Sequence, residues 1–176
     1  MFRLGDDLLV RLPRRAVAEP LLRNERRWLR ELAPGLPLRI SVHVRDGAPG
    51  SGYPWAWAIV PWFAGRTWFA QPPDDLAAAA RRLGAFLAAL HRPAPADAPT
   101  NPFRGVPLAT RAERFALALA EVGDTVDADR CRHAFSELVL TPPWTASPRW
   151  LHGDPHPLNL VVDGGELVAA IDFGDI

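Results

Sequence analysis

Apolar positions along the chain switch between a period of two and a period near 3.6, and the switches mark out its elements. Leu8, Val10 and Leu12 fall on one side of an extended segment and Leu9 with Arg11 on the other, so 8–12 reads as a strand. Leu21, Leu22, Trp28, Leu29 and Leu32 recur at helical spacing and predict an amphipathic helix over 18–31, ending before Pro34-Gly35, with Glu25 beside its apolar stripe. Segments 38–44 and 55–62 read as two more strands around a loop, Asp46-Gly47-Ala48-Pro49-Gly50-Ser51-Gly52. After Pro72-Pro73-Asp74 the stripe Leu76, Ala80, Leu83, Leu87 and Leu90 predicts a central helix that stops at His91-Arg92-Pro93. A loop over 93–102 and helices over 108–121 and 127–138 follow, then a turn at Pro142-Pro143.

The C-terminal stretch changes character. Residues 149–151 read as a short strand running into a polar loop, 152–159, where Pro155 and Pro157 forbid helix and stiffen the backbone. The apolar runs 160–162 and 167–171 flank Asp163-Gly164-Gly165-Glu166, the signature of a tight hairpin. Such a hairpin returns Asp172 to the side of Asn159. Strands with one helix followed by a mainly helical portion predict an α+β fold, with a first lobe over 1–64 and a second over 65–176.

Composition narrows the function classes. The 176 residues carry a formal net charge of +0, which gives no support to a nucleic-acid or anionic-membrane partner. The N-terminus lacks signal-peptide features and no apolar run has membrane length, so a cytoplasmic location is expected. The single cysteine, Cys131, excludes an intrachain disulfide and reads as a small buried apolar residue. Trp55, Trp57, Trp62 and Trp68 cluster and could stack on a nucleobase, though most are expected in the core, and His91 and His133 read as structural. All 20 basic residues are Arg.

Four residues separate Asp154 from Asn159, and Asp172-Phe173-Gly174 follows the hairpin. Two carboxylates and an amide brought together suit phosphoryl transfer, which needs a metal clamp on the phosphates and a carboxylate to orient the attacking hydroxyl. An alternative takes His152, Asp154, His156 and Asp172 as the ligand cluster of a hydrolytic metal. The run His-Gly-Asp-Pro-His-Pro-Leu-Asn over 152–159, followed by Ile-Asp-Phe-Gly-Asp over 171–175, resembles the aminoglycoside phosphotransferase family, protein-kinase relatives that phosphorylate hydroxyls of small molecules, antibiotics among them.

The resemblance implies a kinase-like two-lobed fold, ATP or GTP as donor, Asp154 as catalytic base, Asn159 and Asp172 as Mg²⁺ ligands, His152 as a brace for the loop and His156 as a support beside the site. In that pattern the strand over 8–12 carries a phosphate-binding Lys paired with a helix Glu; Arg11 stands in the Lys position and Glu25 is its candidate partner, with Arg14 and Arg15 close enough to compete for the assignment. Ile59 to Phe63 becomes the segment where the nucleobase docks, less the N–H that Pro61 lacks, and Ala64-Gly65-Arg66-Thr67 the hinge. Pro155 and Leu158 depart from the usual family residues. Family members usually have further strands and a phosphate-covering loop before the equivalent of 8–12, and helices after the Asp-Phe-Gly segment. The chain is therefore expected to cover the middle of the family domain, to expose apolar surface and to self-associate. A non-catalytic member that keeps the fold is the alternative to an active kinase.

Overall fold

The computed structural model describes residues 1–176, the side chain of Asp124 excepted. By packing, Met1–Arg104 and Pro148–Ile176 form one unit and Gly105–Ser147 another. In chain order the first unit comprises β1 (Phe2–Leu4), β2 (Leu8–Arg11), α1 (Glu19–Leu32), β3 (Arg39–Ile40), β4 (Arg45–Gly47), β5 (Trp57–Pro61), β6 (Arg66–Thr67) and α2 (Leu76–Leu90). The second unit holds α3 (Ala112–Val122) and α4 (Ala128–Val139), and the first resumes with β7 (Leu160–Asp163) and β8 (Glu166–Ala170). The strands make two four-stranded sheets, ordered β1-β2-β5-β4 and β3-β8-β7-β6, in the α+β arrangement expected.

The first sheet departs from expectation at both ends. β1 pairs antiparallel with β2, Phe2 opposite Val10, although all its residues are exposed. Its backbone bonds to β2, not burial, keep it extended, so no apolar periodicity announced it. The strand expected over 38–44 shrinks to Arg39 and Ile40, which run parallel to Ala169 and Ala170 in the second sheet, and Arg45–Gly47, which reaches into the loop expected from Asp46, joins the first sheet against β5. The expected hinge is also partly strand, since Arg66 and Thr67 pair with Val162 and Val161. Gly65, at φ +107, must be glycine there because a Cβ would lie 2.1 Å from the Val162 carbonyl oxygen. Residues 149–151 form no strand, only a bridge from Arg149 to Pro93.

α1 buries Leu22, Glu25, Trp28, Leu29 and Leu32, so the carboxylate of Glu25 lies inside the apolar stripe. α2 starts at Asp75, whose Oδ1 accepts from the Ala78 N–H, as an N-cap should. Its inner face is rotated from the expected stripe: Ala79, Phe86 and Leu90 are buried, with Leu83 and Leu87 partly so, and Leu76 and Ala80 face solvent. The main core joins α1, Leu38, Ile40, α2, Trp150, the β7–β8 hairpin and Phe173. Trp28 and Trp150 meet there at 5.0 Å, whereas Trp55, Trp57 and Trp68 are half-buried and Trp62 is exposed under the Arg3 guanidinium. The expected tryptophan core is thus a rim, because indole N–H groups seek partners such as the Ala48 carbonyl that accepts from Trp57.

In the Gly105–Ser147 unit a 3₁₀ turn, Leu108–Arg111, precedes α3, and Asp127 caps α4 by accepting from the Arg130 N–H. Phe115 and Phe135 stack at 4.2 Å. Cys131 is half-buried, not buried as expected, since α4 has no buried residue among those described.

Candidate active site

The loop over 152–159 is held from behind by His152. Its side chain is buried and links two stretches: Nδ1 accepts from the Asp154 N–H at 3.3 Å and Nε2 donates to the Ile171 carbonyl at 3.1 Å. With Nδ1 accepting, the ring is the neutral Nε2–H tautomer. Burial holds the imidazole below its usual pKa, against the Ile171 carbonyl and the charges of Asp172, Asp154 and Asp175. Phe173 packs on the ring at 4.5 Å, so the Asp-Phe-Gly segment and the loop share one buried contact. Both nitrogens being occupied, His152 is unavailable to a metal, and no group of three or more His, Cys, Asp or Glu among the described residues is placed to hold one. The hydrolytic-metal alternative has no support here. Gly153, at φ +82, lets the two stretches touch: a Cβ would fall 2.4 Å from the Asp175 carbonyl oxygen.

The hairpin does what its sequence implies. Gly164 and Gly165 take positive φ in the turn, Asp163 faces Glu166, and the Ile171 N–H bonds the Asn159 carbonyl at 2.9 Å. Asp172 therefore emerges beside Asn159, in a left-handed conformation of φ 64 that is uncommon for a residue with a Cβ and often marks functional segments. Asn159 gives its amide nitrogen to the Asp154 carbonyl at 3.0 Å, which turns its carboxamide oxygen away from the loop. Asp154 is half-exposed, with Oδ2 3.3 Å from His156 Nε2. His156 Nδ1 accepts from the Leu158 N–H, and its Nε2 also lies 3.4 Å from the Asn159 amide nitrogen.

Arg11 and Glu25 meet as expected. Arg11 Nη1 lies 2.9 and 2.7 Å from the two Glu25 oxygens, and Nη2 reaches Asp172 Oδ1 at 3.1 Å. Burial works against the Arg11 charge, but the two carboxylates together outweigh it and raise its pKa. The guanidinium thus ties α1 to the Asp-Phe-Gly segment through the end of β2. Of the remaining expected positions, Ile59 lies inside β5, where its carbonyl accepts from the Val44 N–H, and Phe63 lies half-buried under the Arg39 guanidinium at 5.0 Å.

Two groups next to the site had no strong sequence signal. Arg104 Nη2 lies 3.2 Å from Asp154 Oδ1 and its Nε 3.0 Å from Asp175 Oδ2. It is aimed by Asn101, whose Oδ1 accepts from the Phe103 and Arg104 N–H groups and whose Nδ2 donates to Asp175. The Asn101-Pro102 dipeptide, a turn initiator, was the one available hint. Next to Glu25, His43 Nε2 stands 3.6 Å from Oε2, with Nδ1 2.7 Å from Asp46 Oδ1.

An α+β frame that joins such a loop to an Asp-Phe-Gly segment, beneath a helix glutamate paired to a strand cation, is the protein-kinase-like phosphotransferase fold. Solved structures bear this out over 97% of the chain: a phosphotransferase in complex with GDP and kanamycin at 22% identity and TM-score 0.65, covering 62% of that chain. An aminoglycoside 2'-phosphotransferase-IIIa in complex with GDP matches at 24% identity and TM-score 0.63 over 61% of its length. The macrolide 2'-phosphotransferase MphH of Brachybacterium faecium matches at 19% and 0.58 over 59%. The chain spans about three-fifths of these proteins. Comparison with curated protein sequences finds no match. The family model described as the phosphotransferase enzyme family matches residues 1–176, and the chain belongs to that family.

Proposed function

We propose that the chain carries the nucleotide- and metal-binding core of an ATP- or GTP-dependent phosphotransferase acting on a hydroxyl of a small, aminoglycoside-like molecule. The observation that carries this reading is the convergence of Asp154, Asn159 and Asp172 with the Arg11–Glu25 pair, through the contact of Arg11 with Asp172. Similar structures were solved with GDP, ADP or ATP and with kanamycin, gentamicin or streptomycin. On this reading residues 1–64 present the nucleotide, with Ile59 to Phe63 leading to the base, and 65–176 carry the catalytic loop.

The donor set suits Mg²⁺. Asn159 has its amide nitrogen committed and its oxygen free of the loop, and Asp172 has one carboxylate oxygen beyond the one Arg11 takes. Two hard oxygens and no dedicated protein cage match an ion that keeps water and phosphate ligands, and when bound there it would neutralise charge on the transferring phosphoryl group. Asp154 accepts the proton of the attacking hydroxyl, held by the loop, with the His156 imidazole beside it. Arg11 holds triphosphate oxygens through a planar fork, and Glu25 keeps that fork aimed.

A second reading, a member without turnover, is favoured by Arg104, which stands on the base oxygen that would receive the proton. No helix of the described residues is long and apolar enough to cross a membrane; we place the protein in the cytoplasm, where nucleoside triphosphates are available. Leu117, Leu138 and Leu140 on the Gly105–Ser147 unit are exposed and offer apolar surface for self-association. Calorimetry with ATP and GTP, with and without Mg²⁺, tests the metal and donor: affinity should require the ion and fall sharply in Asp172→Ala. Equal affinity in both conditions refutes the metal assignment. Phosphate incorporation into a panel of aminoglycosides, compared with Asp154→Asn, separates the active from the non-catalytic reading.

A further inference from the structure

The kinase reading uses Arg11 and Glu25 but leaves His43 without a task, and His43 is the one residue among those described with a buried side-chain nitrogen lacking a hydrogen-bond partner. It lies between β3 and β4, its side chain only 3% exposed, and both ring nitrogens face carboxylates. Nδ1 is 2.7 Å from Asp46 Oδ1, and because a carboxylate only accepts, that nitrogen carries a proton. Nε2 is 3.6 Å from Glu25 Oε2, the oxygen that also takes the shorter bond from Arg11. A ring with only the Nδ1 proton would turn a lone pair toward a buried carboxylate. A ring protonated on both nitrogens turns a donor toward it.

The groups around His43 point the same way. Asp46 Oδ2 is bonded by Arg26 Nε at 3.0 Å, and Arg26 follows Glu25 on α1, so the chain of contacts closes back on the helix it serves. From Arg26 through Asp46, His43, Glu25 and Arg11 to Asp172, three carboxylates meet two guanidinium groups. One more cation balances the series, and Glu25, with a side chain of 0% exposure, is where imbalance costs most.

We propose that His43, with a proton on each ring nitrogen, is a positioning residue for the phosphate-binding Arg11: it holds the Glu25 carboxylate at Oε2, the oxygen that takes the shorter bond from the guanidinium. This rests on the phosphotransferase reading of Arg11. When Arg11 turns from Asp172 toward a triphosphate, Glu25 loses part of its compensation, and His43 closes the remaining gap to a hydrogen bond. The carboxylate stays put, and the guanidinium pivots on it.

Two measurements test this. In the free protein, ¹⁵N spectra of selectively labelled histidine should show both His43 nitrogens protonated; a bare Nε2 overturns the proposal whether or not nucleotide binds. In calorimetry, His43→Phe should weaken Mg²⁺-ATP binding by roughly tenfold, the size of one charge-assisted contact, and leave adenosine binding unchanged. His43→Gln, which restores a donor toward Glu25, should recover most of that loss. Wild-type ATP affinity in His43→Phe, or equal loss of ATP and adenosine, refutes positioning. If the wild-type protein binds neither ligand, the phosphotransferase reading falls, and the ring nitrogens still decide the role of His43.

Discussion

Removing the charge of Arg11, and then removing its partner as well, separates the structural from the functional side of their pairing. The Glu25 side chain has 0% exposure and that of Arg11 16%, and two bonds of 2.9 and 2.7 Å join them. Arg11→Met leaves a buried carboxylate facing only His43, and breaking a buried pair from one side costs about 3–5 kcal/mol. The partial exposure of Arg11 sets the expectation at the lower end, about 3 kcal/mol, or roughly 6–12 °C in Tm for a chain of this length. Adding Glu25→Leu removes the stranded charge and places an apolar group among Leu22, Trp28 and Leu29, which already line that face of α1. The double variant should therefore be no less stable than Arg11→Met, although it leaves the His43 Nε2 proton without its carboxylate, so the two substitutions should be strongly non-additive. Function should not recover with stability: the double variant still lacks the cation and should bind Mg²⁺-ATP as poorly as the single one. Thermal denaturation followed by circular dichroism, and calorimetry with ATP and adenosine, give both readouts. Additive stability effects would refute the buried-pair argument, and parental ATP affinity in the double variant would remove Arg11 from the phosphate site.

Asp154→Asn should cut turnover by roughly 10²–10⁴-fold and leave ATP affinity unchanged in calorimetry, because it removes only the proton acceptor. Gly153→Ala forces a side chain into a left-handed backbone and into contact with the Asp175 carbonyl. It should cost about 2–4 kcal/mol in chemical denaturation, the sum of backbone strain and overpacking, and reduce turnover by displacing Asp154. His152 is held neutral by burial, its folded pKa below the unfolded value near about 6.5. Below that value the unfolded chain binds the extra proton, so stability should be full above it and fall as the pH drops toward the folded pKa. Tm measured against pH should show this loss, and His152→Gln should flatten the slope.

The catalytic stretch was legible because its information is local. Pro155 and Pro157 exclude helix, and Gly164-Gly165 sets the turn that brings the end of β8 back to Asn159, whereas the bulge between Val161 and Val162 that shifts the pairing left no mark in the apolar runs. The Arg11–Glu25 pair was legible through the family resemblance, which put a cation on β2 and a carboxylate on the next helix, and Glu25 beside the apolar stripe was the candidate there. Alternation says that a segment is extended but not which sheet it joins, so the run over 38–44 gave no sign that only Arg39 and Ile40 would pair, in the second sheet, or that Arg45–Gly47, partly read as loop, would enter the first. β1 and β6 are held at sheet edges by backbone bonds, which are the same for every residue type and leave no trace in composition. Arg104 and His43 could not be read at all, because a charge declares its role only through what faces it. Arg104 meets Asp175 across 71 positions of sequence, and His43 meets Glu25 only because β3 and β4 carry the chain past α1. The residue types that permit the chemistry are written along the chain; the electrostatic surroundings that aim them exist only once distant segments have packed and water has been excluded from between them.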